Sequence, residues 1–174
     1  MSAINSSEYG VCLECGANFP KTHPSCLHLF EKVIVVLSEL PNHRVELRMA
    51  MDAYALQHSE QFCPHQRSIA IHLMGLCWGV EWKGEIRIAK AMQKWLEHRS
   101  DMPQIPPPFI SPFQDIMTVE EVWKLIEAQK LEDVPKKVHM WANTVWMSWS
   151  EQHQHVRQWI SSAIQKYPNE DQSI

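Results

Sequence analysis

Glycine is scarce in this chain, five residues in 174, and period-two alternation of apolar and polar residues is nearly absent. Together these gaps argue against a β sandwich or barrel and for an all-α fold. Basic runs are missing and the net charge is −4, so the electrostatic footprint of a nucleic-acid binder is not expected. No apolar stretch approaches the roughly 20 residues that a membrane span requires. The opening MSAINSSEYG has neither a basic region nor an apolar core, and no secretory signal is expected. Five cysteines and nine methionines then point to a reducing, cytoplasmic setting. There a CxxC is a metal or redox motif rather than part of a disulfide framework.

What is plentiful is tryptophan and histidine, eight and ten residues respectively. The chain reads as one domain over 1–174: a cysteine knuckle (1–25), a helical core (26–99), a proline-rich arm (100–117) and C-terminal helices (118–167). The expected architecture is a bundle of five to six helices with an N-terminal zinc knuckle. Apolar periodicity predicts helices over 26–40, 43–58, 65–80 and 85–99, with SEQFCP (59–64) as a turn. Five prolines in 100–117 exclude a helix and suggest an extended arm packing Phe109 and Phe113. Thr118 and Glu121 form a capping box that starts a short helix to about 130. A final long helix is expected over 135–167, with a near-heptad seam through Val145, Trp149, Val156 and Trp159.

Cys12 and Cys15 lie in CLECG, where a following glycine suits two zinc ligands on one tight turn. Cys26 opens the first long helix. Helices 26–40 and 43–58, joined by so short a turn, must be antiparallel neighbours. Reflection about that turn places His58 level with Cys26 and beside the knuckle. Cys12, Cys15, Cys26 and His58 are therefore the expected zinc ligands. Cys63 and His65 are rivals for the fourth position, since the third helix starts at the same end, and His28 is a weaker one.

Asp52 falls on the apolar stripe Val45–Met49–Leu56, where a carboxylate must find a partner. Ser68, His72, Gly75 and Gly79 form a small and polar stripe on the next helix, and reflection places His72 near Asp52. One reading is a hydrogen bond that fixes helix register. The other is an active-site pair, with His72 as general base or second-metal ligand and Asp52 orienting it. His139, Asn143, Trp146, Ser150, His153 and Arg157 make a polar stripe on the last helix. It reads as a solvated face, or as the wall of a pocket opposite Asp52 and His72.

These pieces resemble a family of uncharacterised bacterial proteins, a domain of unknown function. The resemblance rests on CLECG with Cys26, on DAYxxQH (Asp52, Ala53, Tyr54, Gln57, His58), on SxxxH (Ser68, His72), and on the late VWxxWSxxH…R (Trp146, Trp149, His153, Arg157). Where the family usually has QHP, this chain has Ser59, and it adds Cys63 and His65 in the turn. The resemblance implies no activity, but picks out the residues that the spacing picked, so Tyr54, Gln57, Ser68, Trp146, His153 and Arg157 are the pocket candidates. The expected function is a zinc-binding helical protein acting through a pocket or partner surface, its partner a small molecule or a protein. The alternative is a metal-dependent hydrolase or transferase using Asp52 and His72. A CxxC redox protein is disfavoured because no βαβ pattern accompanies the motif.

Overall fold

In the computed structural model, residues 9–98 and 116–168 are described. The proline-rich arm, with Phe109 and Phe113, lies almost wholly outside them. The elements run β1 (Tyr9–Val11), β2 (Asn18–Pro20), α1 (Cys26–Glu39), α2 (Arg44–Gln57), α3 (Ser59–Phe62), α4 (Gln66–Val80), α5 (Ile86–Glu97), α6 (Val119–Glu127), α7 (Val134–Ser148) and α8 (His153–Lys166). The fold is all-α apart from one small antiparallel hairpin, in which Gly10 faces Phe19. None of the described helices is long and apolar enough to cross a membrane.

The helix ends follow local chemistry. The Ser25 hydroxyl accepts from the His28 amide to start α1. The Thr118–Glu121 capping box is fully formed at the start of α6. Each satisfies amide donors that the first turn leaves without an intrahelical partner.

α2 and α4 form the centre of the bundle. Met49, Ala50, Ala53, Leu56, Leu73 and Leu76 are fully buried between their neighbours, which is what helices apolar on more than one side require. The two helices approach closely at Gly75 and Gly79. A Cβ on Gly79 would stand 2.5 Å from Met49 Cγ. α7 packs on both α2 and α4, and α8 on α4 and α5.

Three features differ from the expectation. The knuckle contains a β hairpin; strands three residues long are too short to show a period. The turn after His58 folds into the one-turn helix α3. The last helix is not continuous: after Ser148 the chain tightens into a 3₁₀ turn over Ser150–Gln152 and restarts as α8. Trp149 at the break remains buried with 1% exposure, so the apolar seam persists through it.

Candidate metal centre

Hairpin, α1 and α2 converge on one cluster. Pairing of Val11 with Asn18, and amide bonds from Cys12 to the Ala17 carbonyl and from Gly16 to the Cys12 carbonyl, both 2.9 Å, fold CLECG into a tight turn. Gly16 takes φ +78°, a left-handed conformation that favours glycine. Cys26 enters from the first turn of α1 and His58 from the C-cap of α2. Their ligand atoms all lie within 4.8 Å of one another.

Cys12 Sγ is 3.4 Å and Cys26 Sγ 3.5 Å from His58 Nε2, and Cys15 Sγ is 3.6 Å from Cys26 Sγ. A tetrahedral metal with bonds of about 2.3 Å to sulfur and 2.0 Å to nitrogen would have edges of about 3.8 Å (S–S) and 3.5 Å (S–N). These three separations match those edges to within a few tenths of an ångström. All five cysteines are free thiols.

The neighbours of the cluster hold its ligands in place. His58 Nδ1 is 2.8 Å from the Tyr54 carbonyl; as the ring's N–H donor to that oxygen it leaves Nε2 aimed at the sulfurs, the usual outer support of a metal-binding histidine. Tyr54 is stacked between Phe30 and His58, each ring centroid 3.9 Å away. Burial, then the negative charge at Cys26, pushes the Tyr54 hydroxyl well above its ordinary range. The contacts of Cys12 with Cys15 and Cys26 hold its thiol far below the usual range, while those of Cys15 with Cys12 and Cys26 push its thiol far above. Burial works against charge on His58, but the sulfurs of Cys12 and Cys26 outweigh it and raise the ring to about 10. Three crowded sulfurs cannot all ionise beside one imidazolium. A bound cation would replace those shared protons.

The rivals for the fourth position stand aside. Cys63 Sγ is directed to the Ala55 carbonyl at 3.6 Å, and His65 is exposed at the N-cap of α4. The hairpin is tied down on its far side by Glu120 of α6, whose Oε2 accepts from the Asn18 amide at 2.8 Å.

The other predicted residues fall into separate groups. Asp52 and His72 do meet: His72 Nδ1 is 2.8 Å from Asp52 Oδ1, and Arg48 Nε donates to Asp52 Oδ2 at 2.9 Å. Asp52 is fully buried, and a Cβ on Gly75 would stand 1.9 Å from its Oδ2. Ser68 lies one turn before His72 on α4. Gln57 is spent on structure, donating to the Met117 carbonyl and accepting from Trp141 Nε1.

Trp146, His153 and Arg157 gather elsewhere, around Glu81. Trp146 Nε1 and Arg157 Nη2 donate to Glu81 Oε1 at 2.8 and 2.7 Å, and His153 stacks on Trp146 at 3.8 Å. The arginine beside it holds the Glu81 carboxyl below its usual range. Of the rest of that stripe, His139 contacts Glu46 instead, and Asn143 and Ser150 are exposed. The expected shared pocket therefore does not form. His72 and Glu81 are separated by nine residues of α4, about 13 Å and two and a half turns, and so lie on opposite faces. Trp146 is buried to 1% exposure on the Glu81 side.

Sequence reasoning missed Arg48 and Glu81. Arg48 was detectable as the i−4 neighbour of Asp52 on a helix. Glu81 had no such signal, because its partners come from α7 and α8.

Fold and cluster define an all-α bundle with a Cys3His site, fed by a hairpin and two helices, that could hold a metal ion. The chain belongs to the family of unknown function DUF5946, whose family model matches residues 10–150. That span contains all four cluster residues. No curated protein and no solved structure matches the chain significantly.

Proposed function

We propose that this is a zinc-binding helical protein in which Cys12, Cys15, Cys26 and His58 hold one structural zinc, leaving the rest of the bundle to act through a ligand or partner surface. The carrying observation is the match between the ligand-atom separations and the edges of a tetrahedron. Three thiolates and one imidazole are a soft donor set that suits zinc, and four protein ligands leave no open position for substrate. Five free thiols support a cytoplasmic setting. Elemental analysis of the purified chain should find about one zinc per molecule, and Cys26→Ser should lose it. A chain without stoichiometric metal, even after refolding with zinc, would overturn the reading.

A second reading, metal-dependent hydrolysis or transfer using Asp52 and His72, is favoured by one observation: the buried Asp52 fixes His72 through Nδ1 and leaves Nε2 as the nitrogen able to move a proton. The first reading is preferred because both Asp52 oxygens are already engaged, by Arg48 and His72, in the manner of a register-fixing pair. His72→Gln separates them. A hydrolytic or transfer activity that disappears in this variant, with folding intact, supports the second reading. A loss of stability alone supports the first.

A further inference from the structure

Between α4 and α5, with Arg48 contributed by α2, lies a groove of about 520 Å³. It runs along α4 from Arg67 in the first turn to Trp78 near the C-terminal end, and neither reading above assigns it a ligand. Its apolar lining is Ile71, Gly75, Trp78 and Met92; its cations are Arg48 and Arg67. Arg48 presents only part of its guanidinium to Asp52: Nε is committed to a carboxylate with 0% exposure, which fixes the side chain at the groove while further N–H donors of the fork remain for a ligand. Arg67 is held at the mouth by a 2.8 Å bond from Nη2 to the Leu96 carbonyl. Glu97, an acid in the lining, accepts from Gln93 at 3.0 Å.

We propose that this groove binds a small amphiphilic carboxylate, its head on Arg67 at the mouth and its hydrocarbon body along Ile71, Trp78 and Met92. Planar guanidinium forks match a carboxylate in geometry and charge. The volume falls within the usual range for small-molecule sites. The stretch of α4 from Arg67 to Trp78 is about 16 Å long at 1.5 Å per residue, enough for an extended medium-chain acid. A bare inorganic anion would leave the apolar wall unused. An uncharged hydrocarbon would leave the remaining guanidinium donors of Arg67 unused.

The test is calorimetric titration of the full, zinc-loaded chain with sodium decanoate, with 1-decanol and inorganic phosphate as the other probes. Decanoate should bind at one site, at least tenfold more tightly than either. Arg67→Gln should weaken decanoate about tenfold and leave decanol unchanged. Ala89→Phe, which fills the α5 side of the groove, should abolish binding of both. Arg48 contacts a buried acid, so Arg48→Lys is read alongside a thermal melt, and the exposed Arg67 carries the test if that variant does not fold. No decanoate binding at millimolar concentration, equal affinity for decanol, or affinity unchanged in both Arg67→Gln and Ala89→Phe would each overturn the proposal.

Discussion

Gly75 determines whether the buried acid can exist. Asp52 Oδ2 occupies the space that a side chain at 75 would take, 1.9 Å from the position of a Cβ. Gly75→Ala should therefore cost about 1–3 kcal/mol as an overpacking change, read as a lower urea midpoint with an unchanged slope. It should also separate His72 from Asp52, which would appear as loss of the hydrogen-bonded His72 Nδ1–H signal in the NMR spectrum. Cys77 gives a second test at this scale. Burial, then the negative charge of Glu81, pushes its thiol up from 9.0 to about 12. The native state thus keeps a proton that the unfolded chain releases near pH 9. Its contribution to stability is intact below pH 9 and is lost as pH rises from about 9 toward 12. Cys77→Ala should flatten the alkaline fall in stability over that window, followed by denaturant melts at a series of pH values.

The hairpin is tied closely to the Cys3His cluster. Its strands are three residues each, too short to stand alone, and its links to the bundle include that cluster, the packing of Ala17 and Phe19 on the core and the Asn18–Glu120 contact. Removing metal with a chelator should erase hydrogen-exchange protection over residues 9–20 while α4 and α7, packed in the core, keep theirs. Equal protection with and without metal would mean that the hairpin needs no metal. The elements also show what could be read in advance. α1, α2, α4, α5 and α6 fall within a few residues of their expected ends because proline, asparagine and capping residues punctuate them. Cys26 and His58 were legible together because a short turn forces the antiparallel reflection. The break at Ser150–Gln152 was not read: Val145, Trp149, Val156 and Trp159 keep one heptad phase, and the step missed between Trp149 and Val156, where Gln152 and His153 stand, was its only mark in the sequence. The pocket expectation failed for a different reason: Trp146, His153 and Arg157 stay together but gather at Glu81 at the end of α4, on the face opposite His72.

At the scale of the molecule, α4 is the hub. Asp52 of α2 grips its front through His72, and Glu81 at its C-cap gathers α7 and α8 through Trp146 and Arg157. Arg157 holds the Glu81 carboxyl below its ordinary value of 4.5. The sign follows: this contribution is present above pH 4.5 and is lost as pH falls through the depressed native value. Glu81→Gln should lower the thermal midpoint at pH 7, and its difference from the wild type should shrink on acidification below 4.5. A constant difference across that range would assign the effect to the Trp146 hydrogen bond alone. The Cys3His cluster has a consequence of another kind, in time rather than in strength. Cys12 and Cys26 each reach His58, across separations of 46 and 32 residues, whereas the three cysteines are close neighbours in the chain. An unfolded chain can load a metal on its cysteines at once, but the histidine arrives only after α1 and α2 have paired. Exchange of the fourth ligand would then act as a clock for that pairing, recording the moment at which the helical hairpin closes.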